Sequence, residues 1–191
     1  MDKKEQKLNG PLTSDESFEN LVANYERRIF NLIYRIIGNY DDASDLTVDT
    51  FLRAYESFSK FRGASKPYTW LYRIAVNLCK NRLKQLSRQR ELALQQLESF
   101  ADVGPMRSEP VDWSQSPEKL VQVKELQEHV QKAVDSLPED FKIVVVLKEL
   151  HDLSYDEIAQ VIGSSRNVVK IRLFRAREML RKKLRPYLEA K

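Results

Sequence analysis

From Phe18 onward, apolar residues recur at intervals of three and four. Phe18, Leu21, Val22, Tyr25, Ile29, Leu32, Ile33 and Ile36 fall on one stripe of a single helix, which must face a core. Thr13 and Glu16 fit a capping box that starts this helix near Thr13, and Gly38-Asn39 closes it. A second helix is predicted from about Asp41 to Phe58, with Leu46, Phe51, Leu52, Tyr55 and Phe58 as its apolar positions. A loop over Ser59–Pro67 holds Gly63 and Pro67. A third helix follows from about Tyr68 to Arg90, with Leu71, Ile74, Ala75 and Leu78 inward. Periodicity then stops over 91–116, where Gly104, Pro105 and Pro110 sit among Ser and acidic residues, which reads as an extended, flexible linker.

Beyond the linker, Ser116-Pro117 has the form of an N-cap with proline at the first helical position, opening a helix to about Ser136. Pro138 opens another to about Leu150. Its Ile143-Val144-Val145-Val146-Leu147 run has strand-like composition, but lies between charged helical flanks with no partner strand, so it is read as helix. Ser154 and Glu157 form a second capping box for a short helix that Gly163 ends, and a longer helix starts near Ser165. The expected fold class is all-α: two small helical domains, a three-to-four-helix bundle over 14–90 and a helix-turn-helix unit over 119–187, joined by a linker over 91–118.

Of the 191 residues, 42% are hydrophobic and 31% charged, the balance of a soluble globular chain with a highly charged surface. No apolar run approaches the ~18 residues of a membrane span, so no membrane insertion is expected. Met1-Asp2-Lys3-Lys4-Glu5 has no apolar segment behind it, which argues against a secretory signal and for a cytoplasmic protein. The lone Cys79 excludes an internal disulfide and a cysteine-based zinc site, and His129 and His151 lack metal-ligand spacing. The five glycines form neither a GxGxxG nor a Walker-type loop, so neither cofactor nor metal is expected.

Charge is partitioned along the chain. Residues 15–56 carry 9 acidic and 4 basic side chains, whereas 57–90 carry 9 basic and none acidic. Residues 91–118 hold 6 acidic and 1 basic, 135–157 hold 7 acidic and 2 basic, and 166–185 hold 9 basic and 1 acidic. Two dense basic blocks between acidic stretches fit a chain that meets a polyanion at two places.

Each basic block carries a candidate binding surface. In the last helix Val169, Leu173, Ala176, Leu180 and Leu184 form an apolar stripe. Asn167, Lys170, Phe174, Arg177 and Arg181 line the opposite side, flanked by Arg166, Ile171, Arg172 and Arg175. A helix with one core face and one cationic face suits the DNA major groove, where Arg or Lys reads guanine and an apolar group touches a thymine methyl. In the first block, Phe58, Phe61, Tyr68, Trp70 and Tyr72 lie amid Lys60, Arg62, Lys66 and Arg73. Rings stack on unpaired bases while cations hold the backbone. Arg73, Asn77, Lys80, Lys84 and Arg88 share one face of the third helix, and Asn77 and Asn81 carry amides suited to base edges. The competing reading of these aromatics is core packing, and Trp70 and Tyr72 are expected to be at least half buried.

Phe61-Arg62-Gly63, Tyr68-Thr69-Trp70-Leu71-Tyr72-Arg73-Ile74-Ala75-Val76-Asn77, Ser136-Leu137-Pro138-Glu139, Leu153-Ser154-Tyr155-Asp156-Glu157-Ile158-Ala159 and Phe174-Arg175-Ala176-Arg177-Glu178 occur in that order. Together they resemble the extracytoplasmic-function (group IV) sigma factors of bacterial RNA polymerase, over residues 15–187. The resemblance implies an alternative sigma factor with no bond chemistry of its own. Its partners would be core RNA polymerase, through the clamp coiled coil and flap, promoter DNA as duplex and as single strand, and, as a further candidate, an anti-sigma factor. Region 2 (about 14–90) would capture the minus-ten element as single strand through Phe61, Arg62, Tyr68, Trp70, Arg73, Asn77, Lys80 and Asn81, with Asp45, Asp49 and Arg53 facing the clamp. Region 4 would read the minus-thirty-five duplex through Arg166, Asn167, Lys170, Ile171, Phe174, Arg175 and Arg177. The chain departs from the usual pattern at Asn167-Val168, Ile171, Asp49 and Pro67. The acidic linker has the charge to occupy a basic polymerase channel.

Two other classes compete. A free-standing helix-turn-helix repressor would be a dimer reading two half-sites, and leaves the aromatic-cationic first block unexplained. A DNA-acting enzyme would need a nucleophile, but Cys79 lies on an apolar helical face with no histidine nearby in the sequence.

Overall fold

The structure, a computed structural model, describes residues 15–58, 66–97 and 129–189. The described residues are all-α. Helix α1 (Asp15–Ile37) packs against α2 (Tyr40–Phe58) and α3 (Pro67–Leu97) as a three-helix bundle. Helix α4 covers 129–135 within the described residues. Helix α5 (Glu139–Val145) runs on into a π-helical turn, Val146–Leu150, and α6 (Tyr155–Ile162) and α7 (Arg166–Glu189) complete the chain. The proposed first capping box (Thr13), the Ser116-Pro117 helix start and most of the 59–67 loop and 91–118 linker lie outside the described residues.

The α1 stripe is buried as its spacing requires: Leu21, Tyr25, Ile29, Leu32, Ile33 and Ile36 are all at most 6% exposed. Gly38, at φ 80°, donates its N–H to the Tyr34 carbonyl, a left-handed closure natural to glycine. Asn39 then caps α2, its Oδ1 accepting the Asp42 N–H at 2.9 Å. Helix α2 turns inward a face only partly the one its large apolar residues suggest: Leu46 and Phe51 pack against the core, half-buried. Ala43, Thr47, Thr50 and Ala54 are buried, whereas Leu52 and Tyr55 are exposed. Small side chains let α2 approach closely, and each threonine hydroxyl donates to the carbonyl four residues back, Thr47 to Ala43 and Thr50 to Leu46. Arg82 ties α3 to α2 through Asp42 at 2.6 Å.

Helix α3 extends to Leu97, correcting the predicted end at Arg90. Glu91-Leu92-Ala93-Leu94-Gln95-Gln96-Leu97 contains only strong helix formers, with no glycine or proline to stop it. The Ile143–Leu147 run is helical and fully buried, each residue at most 4% exposed. The π turn carries Val146 and Leu147 into the core. The chain leaves this turn through Asp152 at φ 50°, and the Leu153 N–H returns to the Leu147 carbonyl at 3.1 Å.

The two helical units do not stand apart. One buried cluster runs from Leu21 and Leu71 of the first to Ile143, Ile158 and Leu173 of the second. Lys142 of α5 is itself buried, its Nζ donating to the Ile36 carbonyl and to Asp135, and Arg35 of α1 donates to Gln131 of α4.

Candidate nucleic-acid interface

The second unit builds the predicted corner. Ser154 accepts the Glu157 N–H, and Glu157 accepts the Ser154 N–H at 2.9 Å, so the capping box is formed. Gly163 sits at φ 64°, ψ 44°, and the Ser164 N–H returns to Ala159 at 2.9 Å. Val169, Leu173 and Ala176 of α7 are at most 1% exposed, fixing the helix rotation. The opposite side must then face solvent. Arg166, Asn167, Lys170, Ile171, Phe174, Arg175 and Arg177 are all exposed, Phe174 to 67%. Tyr155, Lys170, Phe174, Arg177 and Arg181 line a shallow groove along this face.

Acidic residues of the same unit hold part of this cationic surface. Glu149 accepts from Arg177 Nε at 3.1 Å and from its terminal nitrogen at 2.6 Å. Asp140 pairs with Arg172 at 2.5 Å, and Asp156 with Arg166 at 3.3 Å.

In the first unit, Pro67 occupies the first position of α3, where no N–H is needed. Trp70 is half-buried, its ring 6.4 Å from that of Phe58. Tyr72 is 2% exposed and belongs to the core. Asn77 and Asn81 are exposed. Phe61 and Arg62 lie outside the described residues.

Tyr68, Arg73 and Lys80 point at the second unit. The Tyr68 hydroxyl donates to the Glu157 carboxylate, and Lys66 Nζ reaches the same oxygen at 3.0 Å. Arg73 makes two hydrogen bonds, at 2.9 and 2.6 Å, to the Gln160 carbonyl. Lys80 lies 3.9 Å from Asp140. Burial alone would push the Glu157 carboxyl up. The hydrogen bonds from Tyr68, from Ser154 and from Lys66 outweigh it and pull it down to about 2. Burial, then the bond to Glu157, raises the Tyr68 hydroxyl. These interdomain partners were not identified from the sequence; the available signal was the acidic excess of 135–157 facing the cations of 57–90.

On α2, Asp45, Asp49 and Arg53 are exposed as expected. Val48, Leu52 and Tyr55 accompany them at 58, 56 and 63% exposure. This exposed apolar ridge is a surface the sequence reading did not single out.

Cys79 is buried, and desolvation pushes its thiol well above the ordinary range, which suits packing and not nucleophilic attack. Among the described residues no group of three or more His, Cys, Asp or Glu side chains forms a metal site, and no helix is long and apolar enough to cross a membrane.

An aromatic-cationic helix head, an exposed α2 ridge and a capped helix-turn-helix with a basic outer face together define a sigma-type promoter-recognition subunit. Comparison agrees: Sigma-70 region 2 matches residues 21–89, and Sigma-70 region 4 matches residues 127–180. The ECF RNA polymerase sigma-E factor of Escherichia coli (strain K12) is 35% identical over 91% of this chain and 89% of its own length. The sigma-E factor of Haemophilus influenzae is 36% identical over 91% of the chain and 90% of its own. In fold, the chain is similar to the sigma factor RpoE from Bartonella quintana, solved with the anti-sigma factor NepR, at a TM-score of 0.66 and 20% identity, covering 90% and 98% of the two chains. It is also similar to CnrH, solved with the cytosolic domain of CnrY, at a TM-score of 0.63 and 21% identity, covering 95% and 94%. The chain belongs to the extracytoplasmic-function sigma factors of RNA polymerase. It is accordingly an alternative sigma factor, a transcription regulator that binds core polymerase and promoter DNA in initiation.

Proposed function

We propose that the two units divide promoter recognition, with region 2 spanning 14–90, region 4 spanning 119–187 and a linker between them. Region 4 reads the upstream duplex element. The observation that carries this is the rotation of α7: burial of Val169, Leu173 and Ala176 leaves Lys170, Ile171, Phe174 and Arg175 outward. Arg166 and Asn167 stand at the start of the same helix and Arg177 at its groove edge, where a recognition helix meets bases and backbone.

Region 2 captures the downstream element as a single strand. Phe61, Arg62, Tyr68 and Trp70 surround the flipped base, and Arg73, Asn77, Lys80 and Asn81 hold its neighbours and backbone. Flipping a base costs a few kcal/mol, and stacking returns ~1–3 kcal/mol per base, so two captured bases offset the unpairing. Asp45, Asp49 and Arg53, with the Val48–Leu52–Tyr55 ridge, face the polymerase clamp. The protein needs no catalytic residue, works in the cytoplasm beside the polymerase, and has an anti-sigma factor as a further partner. The neighbour RpoE from Bartonella quintana was solved in complex with an anti-sigma factor.

The test is a permanganate footprint of the reconstituted holoenzyme. Trp70→Ala or Asn77→Ala lowers strand opening while leaving duplex binding nearly intact; unchanged footprints refute base capture. Lys170→Ala or Arg175→Ala changes preference at the upstream element by ~1–3 kcal/mol, whereas a uniform loss over all sequences identifies a phosphate contact instead.

A further inference from the structure

Two large apolar side chains of α7 stand in solvent on its most outward line. Val169, Leu173 and Ala176 fix the core side of the helix. At about 100° per residue, Ile171 lies about 160° from both Val169 and Leu173, across the helix from the core. Phe174 follows three residues on, a spacing at which side chains are neighbours on a helix surface. Ile171 is 53% exposed and Phe174 67%, so the described residues leave both open. Lys170 and Arg175 stand exposed on either side of them. Arg166, Arg172 and Arg177 are held by Asp156, Asp140 and Glu149, whereas Lys170 and Arg175 have no acidic partner among the described residues. Glu178 closes the outward line, paired with Arg181 at 3.5 Å. The exposed ridge of α2 is flanked by Asp45 and Asp49, which turn a polyanion away; the pair on α7 is flanked by free cations, which draw one in. The apolar group that a duplex offers in its major groove is the 5-methyl of thymine.

We propose that Ile171 and Phe174 form a thymine-methyl reader: they contact the 5-methyl groups of thymines on two successive base pairs of the upstream element, while Lys170 and Arg175 address guanine or phosphate beside them. The inference deepens the duplex-reading role proposed for region 4 and rests on it. Three residues advance a helix by about 4.5 Å. Successive base pairs are about 3.4 Å apart, so the two side chains can serve neighbouring steps. A methyl group laid against isoleucine or a phenylalanine ring takes apolar surface out of water on both sides and needs no hydrogen bond.

The test uses the full chain in reconstituted holoenzyme to select duplexes from a library randomised over the upstream window. The selected duplex is then made with deoxyuridine in place of each thymine in turn, which keeps every hydrogen-bonding group of the base and removes only the methyl. We expect two neighbouring thymine-containing pairs to be selected, and deoxyuridine at each to weaken binding about fourfold, the worth of one methyl taken out of water. Ile171→Ala is expected to abolish the loss at one step and Phe174→Ala at the other; both side chains are exposed, so neither change opens the core. Lys170→Ala weakens binding and keeps the sensitivity to deoxyuridine. A selected element without such thymines, or a deoxyuridine duplex bound as tightly as its parent, overturns the methyl reader; a changed sequence preference in Lys170→Ala or Arg175→Ala then leaves the duplex-reading role standing. A deoxyuridine loss undiminished in both Ile171→Ala and Phe174→Ala assigns the methyl effect to DNA shape and also overturns the reader. A library that yields no upstream preference, with the α7 variants binding alike, overturns the duplex-reading role and the methyl reader with it.

Discussion

His151 places a titratable ring between the two units, and its acid response is calculable. Burial, reinforced by the positive charge of Arg28, lowers its pKa from 6.5 to about 4. Burial also pushes the Tyr72 hydroxyl up to about 12, so it keeps its proton across the working range, 3.0 Å from Nδ1. Protonating the ring places a charge in the half-desolvated interface. The sign follows from linkage: between about pH 6.5 and 4 the unfolded or opened chain binds a proton that the closed one does not. Stability therefore falls as pH falls through this window and is unaffected above it. Integrating over the two values gives a loss of about 2 kcal/mol by pH 5 and about 3 kcal/mol below pH 4. Glu157, held at about 2, adds its own loss only below its ordinary 4.5, so the upper part of the window belongs to His151. Urea unfolding followed by circular dichroism at about pH 7.5 and about pH 5 measures the difference. His151→Gln preserves an acceptor for Tyr72 and is expected to flatten the difference to within about 0.5 kcal/mol. Equal stability of the unsubstituted chain at the two pH values, or an undiminished loss in His151→Gln, would refute the reasoning.

Three further outcomes are expected. Gly163→Ala costs about 1 kcal/mol, because φ of 64° strains any L-residue while the added Cβ meets nothing within 4 Å; thermal melting reads it, and a neutral result removes the turn argument. Leu147→Ala, at a fully buried site in the π turn, costs about 2–5 kcal/mol by chemical denaturation. Glu149→Gln changes stability by less than about 1 kcal/mol, since its pair with Arg177 is half exposed. The same change releases Arg177 and steepens the dependence of duplex binding on salt by about 0.9 in log units, read by titration at several salt concentrations.

Much of this molecule follows from local rules. The α1 stripe, the Ser154–Glu157 capping box, the Gly163 corner and the split faces of α7 depend on residues three or four apart, which a linear reading sees. Helix α2 follows its large apolar residues only in part: Leu46 and Phe51 pack against the core, but the fully buried positions are Ala43, Thr47, Thr50 and Ala54. Small side chains contribute little to a hydrophobicity pattern, yet they decide how closely two helices approach. Leu52 and Tyr55 consequently stand in solvent. The π turn is similarly silent in the sequence, since Val146 and Leu147 are equally at home in an α-helix. Of the residues proposed for strand capture, the sequence indicated Tyr68, Arg73 and Lys80 by type and spacing. It did not indicate that Glu157, Gln160 and Asp140 would meet them, because those contacts arise only when segments some 60 to 90 residues apart dock.

The charge partition now has a structural consequence. The acidic stretch over 135–157 lies between two cationic helices and addresses both. Asp156, Glu149 and Asp140 pair with Arg166, Arg177 and Arg172 of α7, while Glu157 and Asp140 turn toward Lys66 and Lys80 at α3. Most of these pairs are half exposed, so each contributes little to stability. Their collective effect is on competition. A phosphate arriving at one of these five cations displaces a carboxylate already in place, which weakens non-specific attraction to DNA more than it weakens the fold. A chain with a net charge of only +4 thereby keeps two strongly basic surfaces without behaving as an indiscriminate polycation. Binding becomes strong only where base contacts or the polymerase add to the exchange, and that is the behaviour a subunit meant to select promoters requires.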